Sequence, residues 1–87
     1  MIPENITRQN ILGAIERVGR EGVPAHRKAR HWAVLHDGTH YPCKLLISWA
    51  NVFANRQELD YKSFISNEAR PYLTERGFTV VRLQTRR

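Results

Sequence analysis

Two short stretches hold the residues most able to do chemistry. His26-Arg-Lys-Ala-Arg-His31 places three permanent cations, Arg27, Lys28 and Arg30, within four positions. Like charges that close repel unless they are solvated or share an anion. Thr39-His-Tyr-Pro-Cys-Lys44 then runs into an apolar segment, residues 45–55, and puts Lys44 on the first turn of the helix expected there. A lysine and unpaired backbone N–H groups at a helix start, beside a basic loop, make a phosphate-binding corner. The chemistry this suggests is non-covalent: gripping a phosphodiester backbone.

Covalent or metal chemistry finds less support. His36 and His40 have HxxxH spacing, but an Asp-Gly turn separates them and strand alternation puts them on opposite sheet faces. His26 and His31 flank a loop, and one cysteine cannot complete a structural zinc set. Cys43 at a helix start could have a depressed thiol pKa, with His40 as its base. No third residue orients such a pair, so a half-buried packing role is expected for Cys43. Asp37, Glu58, Asp60, Glu68 and Glu75 show no nuclease-like pairing, and there is no P-loop or Rossmann glycine pattern. No catalytic residue, metal or cofactor is therefore expected.

Several polar residues could join a nucleic-acid contact. His40 and Tyr41 precede Lys44, Asn51 follows it on the same helix, and Ser66, Asn67 and Arg70 belong to the last helix. Asn can make two hydrogen bonds to an adenine edge, although it is also a common helix-surface residue. Ser66 and Asn67, at a helix N-terminus, have an independent reason to meet phosphate. Trp32 and Tyr41 could each stack on a base, but each suits a core position better.

The elements that must position these residues are legible from caps and periodicity. Thr7 is an N-cap, with Ile6 and Ile11 forming a hydrophobic staple around it. Ile11, Ala14, Ile15 and Val18 recur at helical spacing, predicting a helix over residues 8–20 that Gly19 and Gly22 bracket. Asp37-Gly38 between two β-type runs predicts a two-residue hairpin, in which His36 faces Thr39, Leu35 faces His40 and Val34 faces Tyr41. Pro42 ends the second strand and can open the next helix. On that helix Leu45, Leu46, Trp49, Ala50 and Phe53 form the apolar stripe, with Lys44, Ser48, Asn51 and Asn55 mostly off it. Asp60 caps a short turn holding Tyr61 and Phe64. Ser66 or Asn67 caps a third helix that runs to about Arg76, carries Pro71 in its first turn or just beyond and stops at Gly77. Residues 78–83 alternate as a strand, and residues 84–87 form a basic, frayed tail.

The resulting order, helix, strand, strand, helix, helix, strand, predicts an α+β fold: a three-stranded antiparallel-type sheet packed with helices. The 87 residues suit one domain, with an ordered core over about residues 6–83. Hydrophobic residues make up 41%, an ordinary globular value. Lys and Arg total 14 against 8 acidic residues, a formal charge of +6 that favours a polyanionic partner. Eleven of the 14 are Arg, whose planar fork grips phosphate or guanine with two hydrogen bonds. A single Cys excludes an intramolecular disulfide, there is no signal-peptide pattern, and no apolar run approaches the roughly 18 residues of a membrane span. A cytoplasmic setting is expected, with no membrane partner.

The chain also resembles a known family. Tyr41-Pro-Cys-Lys44 followed by Leu45-Leu-Ile-Ser48, then Asn55-Arg-Gln-Glu-Leu59, Phe64, Ser66-Asn-Glu68, Leu73 and Gly77-Phe78, resembles the N-terminal head domain of ScoMcrA-like proteins. These are type IV, modification-dependent restriction endonucleases with an HNH nuclease domain. The resemblance runs from about Ile11 to Val81 and includes Gly22-Val-Pro24 and the basic loop. Cys43 stands where the family pattern has a second proline, Ser66-Asn67 where it has paired glycines, and Ala69 where it has a second acidic residue. If those glycines serve close backbone approach to a ligand, the contact is altered in this chain. The resemblance implies an accessory DNA-binding module; the modification-reading and nuclease domains of such enzymes have no counterpart here.

Together these readings favour a non-catalytic DNA-binding module acting on duplex DNA, modified or not, in a restriction or phage-defence setting, with a nuclease domain or subunit as a further partner. Arg27, Lys28, Arg30 and Lys44 would grip phosphates; His40, Tyr41, Asn51, Ser66, Asn67 and Arg70 would be secondary contacts. Two alternatives stay open: a protein-interaction domain whose basic surface meets an acidic partner, and a small nuclease or toxin.

Overall fold

The computed structural model describes residues 1–83; the expected basic tail lies outside the described residues. Helix α1 spans Arg8–Glu21 and begins where Thr7 can satisfy its free amides. The Thr7 hydroxyl accepts from the Asn10 N–H at 3.2 Å, and the Asn10 side chain accepts from the Thr7 N–H at 2.9 Å. This is a capping box with Asn in place of the usual Glu or Gln. Ile6 and Ile11 are both buried beside it, completing the staple.

Strands β1 (Trp32–His36) and β2 (Thr39–Pro42) form the expected hairpin. Asp37 and Gly38 have φ of 50° and 80°. A two-residue primed turn demands positive φ at both positions, which Asp tolerates and Gly adopts without steric strain. The register pairs Val34 with Tyr41, Leu35 with His40 and His36 with Thr39. His36 and His40 therefore sit on opposite faces of the sheet.

Helix α2, Cys43–Asn55, follows β2 without a loop, because Pro42 both ends the strand and occupies the N-cap. The helix is enclosed more fully than its apolar stripe implies: Ser48 and Asn51 are buried along with Leu45, Leu46, Ile47, Trp49 and Ala50. Ser48 is covered by Arg27, and Asn51 by the connector that folds back after the helix. Phe53, expected in the stripe, is instead 52% exposed. It lies near the end of α2, with its ring against Gly13 of α1.

Helix α3 spans Ser66–Glu75, so Ser66 is its first helical residue and Ile65 its N-cap. Ile65 offers no side-chain acceptor; the Glu68 carboxylate accepts from the Ile65 N–H at 3.2 Å. Pro71 lies inside the helix on an exposed face. Pro71 has no N–H to give the carbonyl of Asn67, four residues back. Gly77, at φ 86°, turns the chain into strand β3, Thr79–Arg82. Strand β3 pairs antiparallel with β1, giving the sheet order β2-β1-β3. The fold is thus α+β in the order α-β-β-α-α-β, with two additional 3₁₀ turns, Ala25–Arg27 and Tyr61–Ser63. Trp32, Val34, Tyr41 and Val80 form the sheet face that packs on the helices. Among the described residues, no helix is long and apolar enough to cross a membrane.

Candidate nucleic-acid interface

The direct passage from β2 into α2 sets Cys43 and Lys44 at a helix start, and the basic loop crosses in front of them. Arg27 holds the loop there. Its Nη2 donates to Ser48 Oγ at 3.0 Å, its Nη1 lies 3.7 Å from Glu58 Oε2, and its guanidinium stacks 4.9 Å from the Tyr61 ring centroid. The Arg27 side chain is only 7% exposed. Arg27 therefore positions the loop, while Lys28 and Arg30 remain exposed.

Loop, helix starts and the Tyr61 turn line an open-mouthed cavity of about 450 Å³. Arg27, Lys28, Arg30 and Lys44 line it with His26 and His31; Trp32, Pro42, Cys43 and Tyr61 supply apolar wall, and Ser66 brings in the start of α3. None of the residues lining it is acidic. Lys44 is half-buried, with Nζ 5.0 Å from the Phe64 ring centroid and 5.6 Å from that of Tyr61. Burial, and then the neighbouring Arg27 charge, hold the Lys44 pKa below its ordinary value, with Asp60 partly opposing them. An anion entering the cavity would relieve both effects.

Cys43 is buried rather than half-buried. Burial pushes its thiol up to about 11, against the opposing pull of Arg70 and its own backbone N–H. The thiol is protonated at neutral pH and is a packing group, not a poised nucleophile. Below the ordinary value of 9.0, folded and unfolded chains both hold this proton, and Cys43 adds no pH dependence to stability. Above it the unfolded thiol ionises first, so stability falls until the folded thiol follows at about 11. Denaturation of wild type and Cys43→Ala should thus differ by a constant below pH 9.0 and by a shrinking margin up to about 11. A constant difference throughout would place the thiol in water.

The structure brings Arg27, Lys28, Arg30, Lys44 and Ser66 together around the cavity. Arg70 lies alongside: its guanidinium stacks 4.1 Å from the Trp32 centroid and donates to Asn67 Oδ1, while its buried Nε has no partner. Asn67 is exposed on the first turn of α3, held by that bond. Ser66 and Asn67 have no positive φ, so the backbone here does not require the glycines of the family pattern. Asn51 stands apart: its amide donates to Gln57 O at 2.8 Å and accepts from Asn55 at 2.5 Å. His40 and Tyr41 do not line the cavity. His40 is exposed on β2 opposite Leu35, and Tyr41 is half-buried opposite Val34.

Tyr61, like His26 and His31, lines the cavity without being one of the contacts expected from the sequence. Its only local signal is Asp60, whose carboxylate accepts from the Lys62 N–H at 3.0 Å and fixes the turn. Among the described residues, no group of three or more His, Cys, Asp or Glu is placed to hold a metal ion.

A profile of the ScoMcrA-like N-terminal head domain matches residues 4–82. Among solved structures, the type IV phosphorothioation-dependent restriction endonuclease ScoMcrA is similar, with a TM-score of 0.69 and 26% identity over 94% of this chain. The match spans 14% of that protein's length. No curated protein matches the chain. The profile covers nearly the whole chain, and the chain belongs to the family of ScoMcrA-like N-terminal head domains.

Proposed function

We propose that this domain is a non-catalytic DNA-binding module serving a restriction system. The observation that carries the reading is the cavity itself: four permanent cations and two helix starts converge on it, and no acidic residue lines it. Lys28, Arg30 and the half-buried Lys44 meet no carboxylate partner there among the described residues, a concentration of positive charge that favours an anionic ligand. The family supplies the setting: head domains of this kind are parts of longer proteins, here matched over 14% of an endonuclease. A nuclease domain or subunit is the corresponding partner, and the cytoplasm, where DNA and a free thiol coexist, the corresponding location. Modified duplex is the DNA expected in that setting, and phosphorothioated duplex is one form to test, because the similar enzyme depends on that modification.

Fluorescence anisotropy tests this with unmodified, methylated, hydroxymethylated and phosphorothioated duplexes, single-stranded DNA and RNA, each at several salt concentrations. Three to four phosphate contacts should give a log–log salt slope of about −3 to −4 on duplex DNA. Absence of binding to every one of these at low salt would refute the reading and turn the search to an acidic protein partner. Metal-dependent cleavage that a chelator stops would refute its non-catalytic part.

A further inference from the structure

We propose that the cavity receives one unstacked nucleotide of a DNA strand, its phosphate at the wall formed by Lys44 and Ser66 and its base against the Tyr61 ring. This rests on the DNA-binding reading and specifies what enters the cavity once a strand is bound.

Shape is the first argument. A cavity of about 450 Å³ is within the size range of small-ligand pockets, about 300–1,000 Å³. A duplex is a convex rod far wider than such a pocket, so it can lie across the mouth without filling it. A nucleotide turned out of its stack, or belonging to a single strand, can enter.

The distribution of chemistry within the cavity is the second. Lys28, Arg30 and Lys44 form no ion pair with any carboxylate among the described residues, whereas Arg27 has Glu58. Lys44 is bracketed by the rings of Tyr61 and Phe64, which hold the ammonium without neutralising it. Neither Pro42 nor Ile65, the N-caps of α2 and α3, supplies a side-chain acceptor to the first-turn amides. The wall at Lys44 and Ser66 thus combines a positive charge with the start of α2, a match for phosphate, while at the start of α3 the Glu68 carboxylate, held by the Ile65 N–H, offsets part of the helix dipole. Tyr61, 40% exposed, presents at the same cavity the part of its ring that Arg27 and Lys44, 4.9 and 5.6 Å from its centroid, leave open to a base. The partnerless Nε of Arg70, buried close to Trp32, leaves a donor in the same region.

The test compares three DNA ligands at one salt concentration: a matched duplex, the same duplex with a central mismatch, and the single strand. Free deoxynucleoside monophosphate is added as a competitor. Unstacking costs least at a mismatch or in a single strand, so these should bind about ten-fold or more tighter than matched duplex. Tyr61→Ala should weaken single-strand binding about 5- to 100-fold, and Tyr61→Phe, which keeps the ring, should restore it. Equal affinity of wild type for all three DNAs would overturn the inference, independently of whether any variant folds. So would a folded Tyr61→Ala protein with undiminished affinity. If Lys28→Ala with Arg30→Ala still reduces the salt slope in that case, DNA binding stands and only the nucleotide-filled cavity falls. Monophosphate that binds as tightly as the single strand would assign the cavity to a free nucleotide and overturn the strand as its source. Failure of wild type to bind any DNA removes both readings.

Discussion

Replacing Lys28 and Arg30 together with alanine should lower duplex affinity about 50- to 100-fold near 0.1 M salt and flatten the log–log salt slope by about two. Each phosphate-bound cation releases close to one condensed counterion, so two lost contacts remove about two units of slope and roughly a decade of affinity each. The fold should persist, because both residues are exposed and neither forms an ion pair among the described residues. Arg27 is unsuitable for the same experiment: its 7% exposure, its bond to Ser48 and its pairing with Glu58 mean that Arg27→Ala would dislodge the loop as well as remove a charge. Anisotropy over a salt series, with circular dichroism melts of each variant, separates the two effects. An unchanged slope in the double variant would remove the basic loop from the interface and leave Lys44 as its cationic centre.

Arg76→Ala should destabilise the domain by about 2–4 kcal/mol and lower Tm by roughly 10–25 °C. Arg76 clamps the N-terminal segment onto α3. Its Nε donates to Ile6 O at 2.8 Å, Nη2 to Glu4 O at 3.2 Å and Nη1 to Tyr72 O at 3.1 Å. Its guanidinium also stacks 3.4 Å from the Tyr72 centroid, and the Tyr72 hydroxyl donates to Pro3 O. Hydrogen bonds from a charged donor to carbonyls are each worth more than neutral ones, and truncation would leave half-buried carbonyls unpaired. Ile2 and Ile6, buried by this arrangement, would lose their anchor. Arg76→Lys should recover only part of the loss, since an ammonium cannot span three carbonyls as the guanidinium fork does. A loss below about 1 kcal/mol for Arg76→Ala would mean that isoleucine burial alone holds the segment.

The contrast between these residues shows where pattern reading works. The charge of Arg27, Lys28 and Arg30 was evident as composition, and a polyanion partner followed from it. Nothing in the string His26-Arg-Lys-Ala-Arg-His31 distinguishes the residue that turns inward from those that face solvent. That division depends on Ser48 and Glu58, both more than twenty positions downstream, meeting Arg27 only after α2 has packed. Tyr61 was recognisable as part of a capped turn, yet its place at the cavity depends on the approach of the basic loop from the opposite side.

What the sequence determined by itself was decided over distances of a few residues. The Thr7–Asn10 cap with its isoleucine staple, the Asp37-Gly38 hairpin and its register, the helix stop at Gly77 and the α+β order all rest on contacts between near neighbours or on the φ preference of single residues. Periodicity and capping express such local energies directly. The tertiary structure alone decided the enclosure of Ser48 and Asn51, the exposure of Phe53, the clamp at Arg76 and the assembly of one cavity from the basic loop, two helix starts and the Tyr61 turn. Each depends on which surfaces of separately formed elements meet, and burial is a property of that meeting rather than of any one segment.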